Sequence, residues 1–288
     1  MKKILITGAT GFIGKNILPI LKEKYEVSAP SRNELNLLDE VNVEYYLKSN
    51  RFDAVLQCAN PNPVKNPIKD KENSMFEDSM RIFYNFYKNR YHYNKMIYIG
   101  SGAEYAKTHD IIMAKEDDVG KIVPKDNYGL AKLFMNELSK KSDNIYNLRI
   151  FGCYGPYDHD SKFITHVINC CLEKRDITIR QNCVFDYIHV TDVAKAMIYM
   201  IENSLEYKDY NVCSGKRIEL LEIARIVKKI MSSDSPIKIL KEGYNKEYTG
   251  SNERFMKETQ NEIRFLDIET GIKLQIKHEE EKYEKKSC

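Results

Sequence analysis

Eight residues near the start, Thr7-Gly8-Ala9-Thr10-Gly11-Phe12-Ile13-Gly14, constrain this chain more than any other feature. They follow a short apolar run, Lys3 to Thr7, and precede Gly14 to Lys24, where Ile17, Leu18 and Leu21 share a helical stripe. A strand, a glycine turn and a helix in that order open a parallel α/β unit. Gly8 lets the chain turn tightly and Gly11 lets the backbone approach a pyrophosphate. Gly14 lets the helix pack closely on the strand. The helix N-terminus offers unpaired N–H groups and its positive dipole end to phosphates. Gly8, Thr10, Gly11, Phe12, Ile13 and Gly14 are therefore expected to line a dinucleotide site.

The alternation continues. Tyr25 to Ala29, Ala54 to Cys58, Met96 to Ile99 and Tyr146 to Phe151 read as strands. Val41 to Lys48, Ser74 to Arg90 and Tyr128 to Lys140 read as helices. This predicts an α/β protein with a Rossmann-type, doubly wound parallel sheet. Beyond Gly155-Pro156 the pattern loosens. Phe163 to Glu173, Val193 to Ile201 and Leu220 to Met231 read as helices, Ile177 to Arg180 and Tyr210 to Cys213 as strands. The residues from Lys277 onward read as an exposed charged tail. The expected division is a dinucleotide-binding domain over 1–156, with the chain returning to it around 185–213. A smaller, closely packed substrate-binding domain takes 157–288.

Formal net charge is only +3, with Lys and Arg scattered among Asp and Glu. That pattern leaves no footprint for nucleic acid or an anionic membrane. No apolar run approaches a membrane span, and Ile4 to Ile6 is too short for a signal peptide. Cys58, Cys153, Cys170, Cys171, Cys183, Cys213 and Cys288 form no CxxC pair or zinc spacing. Reduced thiols, a cytoplasmic location and no metal are expected.

Tyr128 and Lys132 are four apart in a helical segment and share a face. A lysine at that distance is expected to lower the tyrosine pKa toward neutrality. A tyrosine so tuned exchanges a proton with a carbonyl oxygen while hydride moves at the carbon. Ser101, at the end of a strand, is expected to polarise the same oxygen. After the second strand, Val27-Ser28-Ala29-Pro30-Ser31-Arg32 contains no acid for a ribose 2′-hydroxyl. Arg32 and the Ser31 hydroxyl suit a 2′-phosphate, which favours NADP over NAD.

The TGATGFIG turn, Ala59, Ser101, Tyr128, Lys132, Arg149, Tyr154-Gly155-Pro156 and Ile188 to Ala194 resemble the extended short-chain dehydrogenase/reductase family, also called the NAD-dependent epimerase/dehydratase family. The resemblance covers most of the chain. It is nearest in look to nucleotide-sugar 4-ketoreductases and to GDP-fucose synthases, whose adenine-side loop Glu34 to Asp39 resembles. It implies cofactor contacts from Asn36, Leu37, Cys58, Ala59, Tyr128, Lys132 and Phe151, and a ribose-holding role for Lys132. It also implies a nucleotide-sugar substrate and a homodimer formed by Ser74 to Arg90 and Tyr128 to Lys140. The aromatic stripe Phe83, Phe86 and Tyr87 suits such a contact, or core packing.

Departures from the family narrow the reaction. Where sugar dehydratases of the family carry Asp-Glu, this chain has Gly102 and Ala103, which transfer no protons. GDP-fucose synthases epimerise with a cysteine, here Ala103, and a histidine that falls near Lys162. Glu104 and His166 are the nearest spare groups, one expected to point away from substrate and the other to pack in its helix. The leading reading is NADPH-dependent reduction of a nucleotide-linked 4-keto-6-deoxy sugar. An NAD-dependent nucleotide-sugar 4-epimerase and a non-catalytic NADP-binding regulator are the alternatives. Gly152 stands where the family often has Asn, and Phe185 where an arginine grips the substrate diphosphate. Lys162, Arg180 and Arg254 are the cations expected to replace it. His189 and Asp192 are expected to hold structure, Asp192 by capping a helix from Val193.

Overall fold

The structure, a computed structural model, describes residues 1–61 and 74–287; Cys288 lies outside the described residues. The first half runs β1 (Lys3–Thr7), α1 (Phe12–Lys22), β2 (Glu26–Ser28), α2 (Glu40–Asn50) and β3 (Phe52–Gln57). It continues through α3 (Ser74–Lys88), β4 (Tyr93–Ser101), β5 (Ile111–Ala114), α4 (Asn127–Ser139) and β6 (Ile145–Ile150). Next come β7 (Gly152–Tyr154), α5 (Phe163–Leu172), β8 (Ile177–Asn182), β9 (Val184–Phe185) and β10 (Tyr187–His189). Then follow α6 (Val190–Glu202), β11 (Asp209–Val212), β12 (Ile218–Glu219) and α7 (Leu220–Ile230). The chain closes with β13 (Ile237–Tyr244), β14 (Tyr248–Gly250), α8 (Glu253–Glu258) and α9 (Ile268–Ser287).

Six parallel strands form the central sheet in the order β11-β6-β4-β3-β1-β2. β1, β3 and β6 are buried nearly throughout, as strands covered on both faces must be. Ile17 and Leu21 of α1 and Val193, Met197 and Met200 of α6 pack on one face. Val43 and Leu47 of α2, Phe83 and Phe86 of α3 and Met135 of α4 cover the other. Because β2 and β3 flank β1 on opposite sides, a crevice opens at the carboxyl ends of β1 and β3.

The rest of the chain makes smaller sheets. β12-β9-β14-β5 form a four-stranded sheet, and β7 with β10 and β8 with β13 form parallel pairs. Val167 and Ile168 of α5, Ile223 and Val227 of α7 and Ile272 and Ile276 of α9 enclose a separate core. Several of these strands have only two to four residues, too short for an alternating pattern to show.

Of the two settings open to the aromatic stripe, Phe83 and Phe86 take core packing under the sheet; the exposed aromatics of α3 and α4 are Tyr84 and Phe134. The charged stretch from Lys277 is mostly exposed, as expected, except at Glu279, but it is helical: it continues α9, whose preceding turns bury Ile272, Gln275 and Ile276. Among the described residues, no helix is long and apolar enough to cross a membrane.

Candidate active site

The glycine turn has the geometry its sequence requires. Gly8 adopts φ +71°, and a Cβ there would stand 2.7 Å from the Ala59 nitrogen. A Cβ on Gly14 would stand 2.2 Å from the Gly8 carbonyl oxygen, so any side chain would push α1 off the turn. Gly11 caps α1 without a side chain, and the first turn of the helix carries no acid. Gly8, Thr10, Gly11, Phe12, Ile13, Gly14, Ser31, Arg32, Asn36, Leu37, Cys58 and Ala59 all line one cavity of about 710 Å3. An open helix N-terminus at Gly11 and a lining that runs on to Ser31 and Arg32 suit an elongated, phosphate-bearing ligand such as a dinucleotide.

The sequence reading passed over the acid in Glu34, which also lines this cavity. Glu34 turns back so that its Oε2 accepts from the Ser31 N–H at 2.7 Å. The backbone N–H and hydroxyl of Ser31 hold this carboxyl below the usual range. An acid therefore lines the cavity beside Arg32 after all, and it engages the hydroxyl expected to serve a 2′-phosphate. The signal was available: Ser31 and Glu34 have capping-box spacing.

At the neighbouring strand ends, Asp126 caps α4 by accepting from Gly129 N–H at 2.8 Å. This places Tyr128 and Lys132 one turn apart on the sheet side. Lys132 is 2% exposed and donates from Nζ to the Ile99 carbonyl at 2.6 Å, 5.8 Å from the centre of the Tyr128 ring. Burial brings its ammonium down to about 8, with Glu104 and Cys58 opposing. Contrary to expectation, the Tyr128 phenol is raised: desolvation outweighs the lowering by the Ser101 hydroxyl, while Glu104 and Asp126 add to the rise. Lys132 spends its proton on a backbone carbonyl rather than on the phenol. Desolvation also pushes the Cys58 thiol up to about 12, so it is no nucleophile at neutral pH.

Ser101 is held from below. Its N–H donates to Glu104 Oε1 at 3.0 Å, and its Oγ accepts from Ala103 N–H at 3.2 Å, a capping box over a short 3-10 turn. Glu104 is fully buried, as expected of a group that points away from substrate. Arg149 Nε reaches its Oε2 at 2.7 Å, and Arg149 Nη2 reaches Asp209 Oδ2 at 2.9 Å. Asn147 and Asn211 complete the network. A strand-buried arginine thus fixes the loop that carries the serine.

Opposite Ser101 stands an aromatic wall. Phe151, Tyr248, Phe185 and Tyr187 follow one another with ring centres 5.1, 5.4 and 5.6 Å apart. Phe185 is thus part of a stack, where the family pattern has a diphosphate-binding arginine. Tyr248 and Phe151 also fill the space at Gly102: a Cβ there would meet the Tyr248 hydroxyl at 2.6 Å and Phe151 at 2.8 Å.

The three expected substrate cations fare differently. Lys162 is exposed at the N-cap of α5, and its charge is felt by Lys107. The Lys107 amine stands 5.2 Å over the Tyr248 ring, and desolvation lowers it, with Asp126 opposing and Lys162 assisting. Lys107 was not foreseen from the sequence. Arg180 lies on the exposed face of β8, whose other face, Ile177 and Ile179, enters the core. Arg254 is corrected: it binds Asp209 at 2.9 Å and Asp117 at 2.5 Å and lines a separate cavity of about 440 Å3. Its charge is already matched. Asp192 does not cap its helix either. α6 begins earlier, at Val190, and the His189 ring accepts from Thr191 N–H, while Asp192 accepts from Leu266 N–H at 2.8 Å.

Residues 4–213 match the model of the NAD dependent epimerase/dehydratase family. GDP-L-colitose synthase of Yersinia pseudotuberculosis is 25% identical over 261 residues, 80% of this chain and 82% of that protein. UDP-glucose 4-epimerase of Thermotoga maritima, solved with UDP-glucose, superposes with a TM-score of 0.84 at 20% identity, covering 98% of this chain and 99% of that one. The GDP-mannoheptose C4 reductase of Campylobacter jejuni, solved with NADP, gives 0.81 at 17% identity over 97% and 98%. The glycine turn, the doubly wound sheet and these likenesses agree: the chain belongs to the NAD-dependent epimerase/dehydratase family, the extended branch of the short-chain dehydrogenases/reductases, whose enzymes are NAD(P)-dependent oxidoreductases.

Proposed function

We propose that the protein reduces a nucleotide-linked 4-keto-6-deoxy sugar to its 4-hydroxy form with NADPH. The observation that carries this reading is the content of the site around Ser101. A hydroxyl, a phenol and an ammonium converge, and the neighbouring volume at Gly102 is filled by Tyr248 and Phe151 rather than by an acid. Such a site moves one proton on and off a carbonyl oxygen. Among the described residues it has no second acid-base pair of the kind a dehydration or a carbanion-forming epimerisation needs. A colitose synthase and a C4 reductase among its likenesses support the same class of substrate.

Gly8, Gly11, Gly14 and the α1 N-terminus would hold the pyrophosphate, and Arg32 the 2′-phosphate. When bound, the reduced nicotinamide supplies hydride to the keto carbon. Tyr128, kept protonated by its desolvated setting, gives its phenolic proton to the oxygen, and Ser101 donates a hydrogen bond to the same atom. The Lys132 ammonium stabilises the phenolate left behind until solvent reprotonates it. Lys107 and Lys162 would face the acidic diphosphate at the mouth of the cleft. We place the enzyme in the cytoplasm as a homodimer joined through the outer faces of α3 and α4, where Tyr84 and Phe134 are exposed.

Glu34 favours a second reading, an NAD-dependent 4-epimerase, because a carboxylate at the ribose end suits a free 2′-hydroxyl. Incubation with NADPH and a panel of nucleotide-linked 4-keto sugars separates the two. Stoichiometric cofactor oxidation supports the reductase, whereas isomerisation of nucleotide hexoses without net oxidation supports the epimerase. Tyr128→Phe should lower kcat by about 10²–10⁴-fold with cofactor binding retained. An unchanged kcat would refute both readings.

A further inference from the structure

We propose that Asn85, on α3, is a positioning residue for the cofactor: it ties the loop 35–39 to the helix, so that the adenosine half of the dinucleotide meets a loop already in place. The proposal rests on reading the crevice as the dinucleotide site.

The loop is fastened to α2 from within and at its end. Leu35 is buried in one core with Val43 and Leu47 of α2. The Asn36 N–H donates to Asn42 Oδ1 at 2.8 Å, and Asp39 caps α2 by accepting from the Asn42 N–H at 3.0 Å. Toward α3 the tie is Asn85, which is 3% exposed and donates from Nδ2 to the Leu37 carbonyl at 2.9 Å. The Asn89 side chain in turn donates to the Asn85 carbonyl at 2.9 Å. Lys88 also pairs with Glu40, but at the surface, where such a pair contributes little.

A buried amide is costly on a helix face unless it is hydrogen-bonded. Asn85 lies between Ile82 and Phe86, both buried, and asparagine is a poor helix former. The Leu37 carbonyl accounts for its presence there. Asp78, Ile82 and Asn85 fall at i, i+4 and i+7, on one stripe of α3. Asp78 and Ile82 line the crevice together with Leu35, Asn36, Leu37 and Leu38. Asn85 therefore joins, side chain to backbone, two segments that line the same crevice. A loop left loose would have to be ordered as the ligand binds, and that entropy is subtracted from affinity.

The test compares the wild type with Asn85→Leu, which nearly keeps the shape and removes the donor, in the full chain. Fluorescence titration should show NADPH and NADH weakened alike, by about tenfold, as expected when a lost hydrogen bond leaves a carbonyl unpaired. Arg32→Ala, by contrast, should separate the two cofactors. Among fragments, AMP should weaken by the same factor, and nicotinamide mononucleotide should bind as before. Hydrogen exchange in the free protein should quicken over 35–39 and stay unchanged over 3–7. Should Asn85→Leu not fold, Asn85→Ser, whose hydroxyl falls short of the carbonyl, carries the same comparison. Equal weakening of both fragments, undiminished affinity for AMP, or unaltered exchange over 35–39 overturns the assignment. If the wild type binds neither NADPH nor NADH, the dinucleotide reading falls, while the exchange comparison still decides whether Asn85 holds the loop.

Discussion

In the crevice at the ends of β1 and β3, one end is built by a contiguous stretch, residues 7–14, where Gly8 and Gly14 leave no room for a Cβ. Across the cleft, the wall facing Ser101 is built from side chains, Phe151, Phe185, Tyr187 and Tyr248, brought from separate strands. The first region needs the absence of side chains at three glycines. The second needs particular rings in particular places. Function that depends on backbone geometry is written locally. Function that depends on packed side chains exists only once the chain has folded.

The joint between the two regions offers the largest effect. Arg149 pairs with Glu104, which holds Ser101, and with Asp209 on β11, all three buried. Arg149→Met leaves the buried Glu104 without its cation, while Asp209 keeps Arg254, and should lower unfolding free energy by about 3–5 kcal/mol in chemical denaturation. A loss below about 1 kcal/mol would mean the two regions do not depend on this joint.

The crevice itself is sharpened by a smaller effect. Arg32→Ala should weaken NADPH binding about tenfold while leaving NADH nearly unchanged, as removal of one charged hydrogen bond predicts. Glu34→Gln should move the balance toward NADPH. Fluorescence titration of both reduced cofactors reads the two changes. Equal affinities in all variants would show that the ribose end does not discriminate.

The smallest effect concerns the pH response of the catalytic face. Lys132 is brought down to about 8, and it serves as the ammonium. Protonated enzyme predominates below that value, so kcat should be flat near neutrality, fall by about half near pH 8 and drop further above it. A profile flat to pH 9.5 would show that the charge of Lys132 is not needed.

Much of the crevice was legible. The strand, glycine turn and helix around Gly8, Gly11 and Gly14 need only neighbours in sequence, as does the pairing of Tyr128 with Lys132 on one helical face. Glu34 was missed because the search for an acid ended with the strand, whereas the chain folds back three residues later. The tyrosine pKa was misjudged because spacing places Lys132 on the right face but does not say that its amine will prefer the Ile99 carbonyl. Arg254 looked like a free cation until the fold surrounded it with Asp117, Asp209 and Glu116.

From the sequence alone came the doubly wound sheet, the glycine turn that opens the crevice and the placing of Tyr128 and Lys132 on one helical face, with Ser101 marked by the family resemblance. The first three follow from periodicity and from spacings of a few residues, where covalent geometry dictates what is adjacent. Tertiary structure alone decided which charges were already matched, why position 102 is glycine and that Tyr248 stands beside it. Desolvation and hydrogen-bond partnership depend on atoms supplied by distant segments, and no local pattern encodes them.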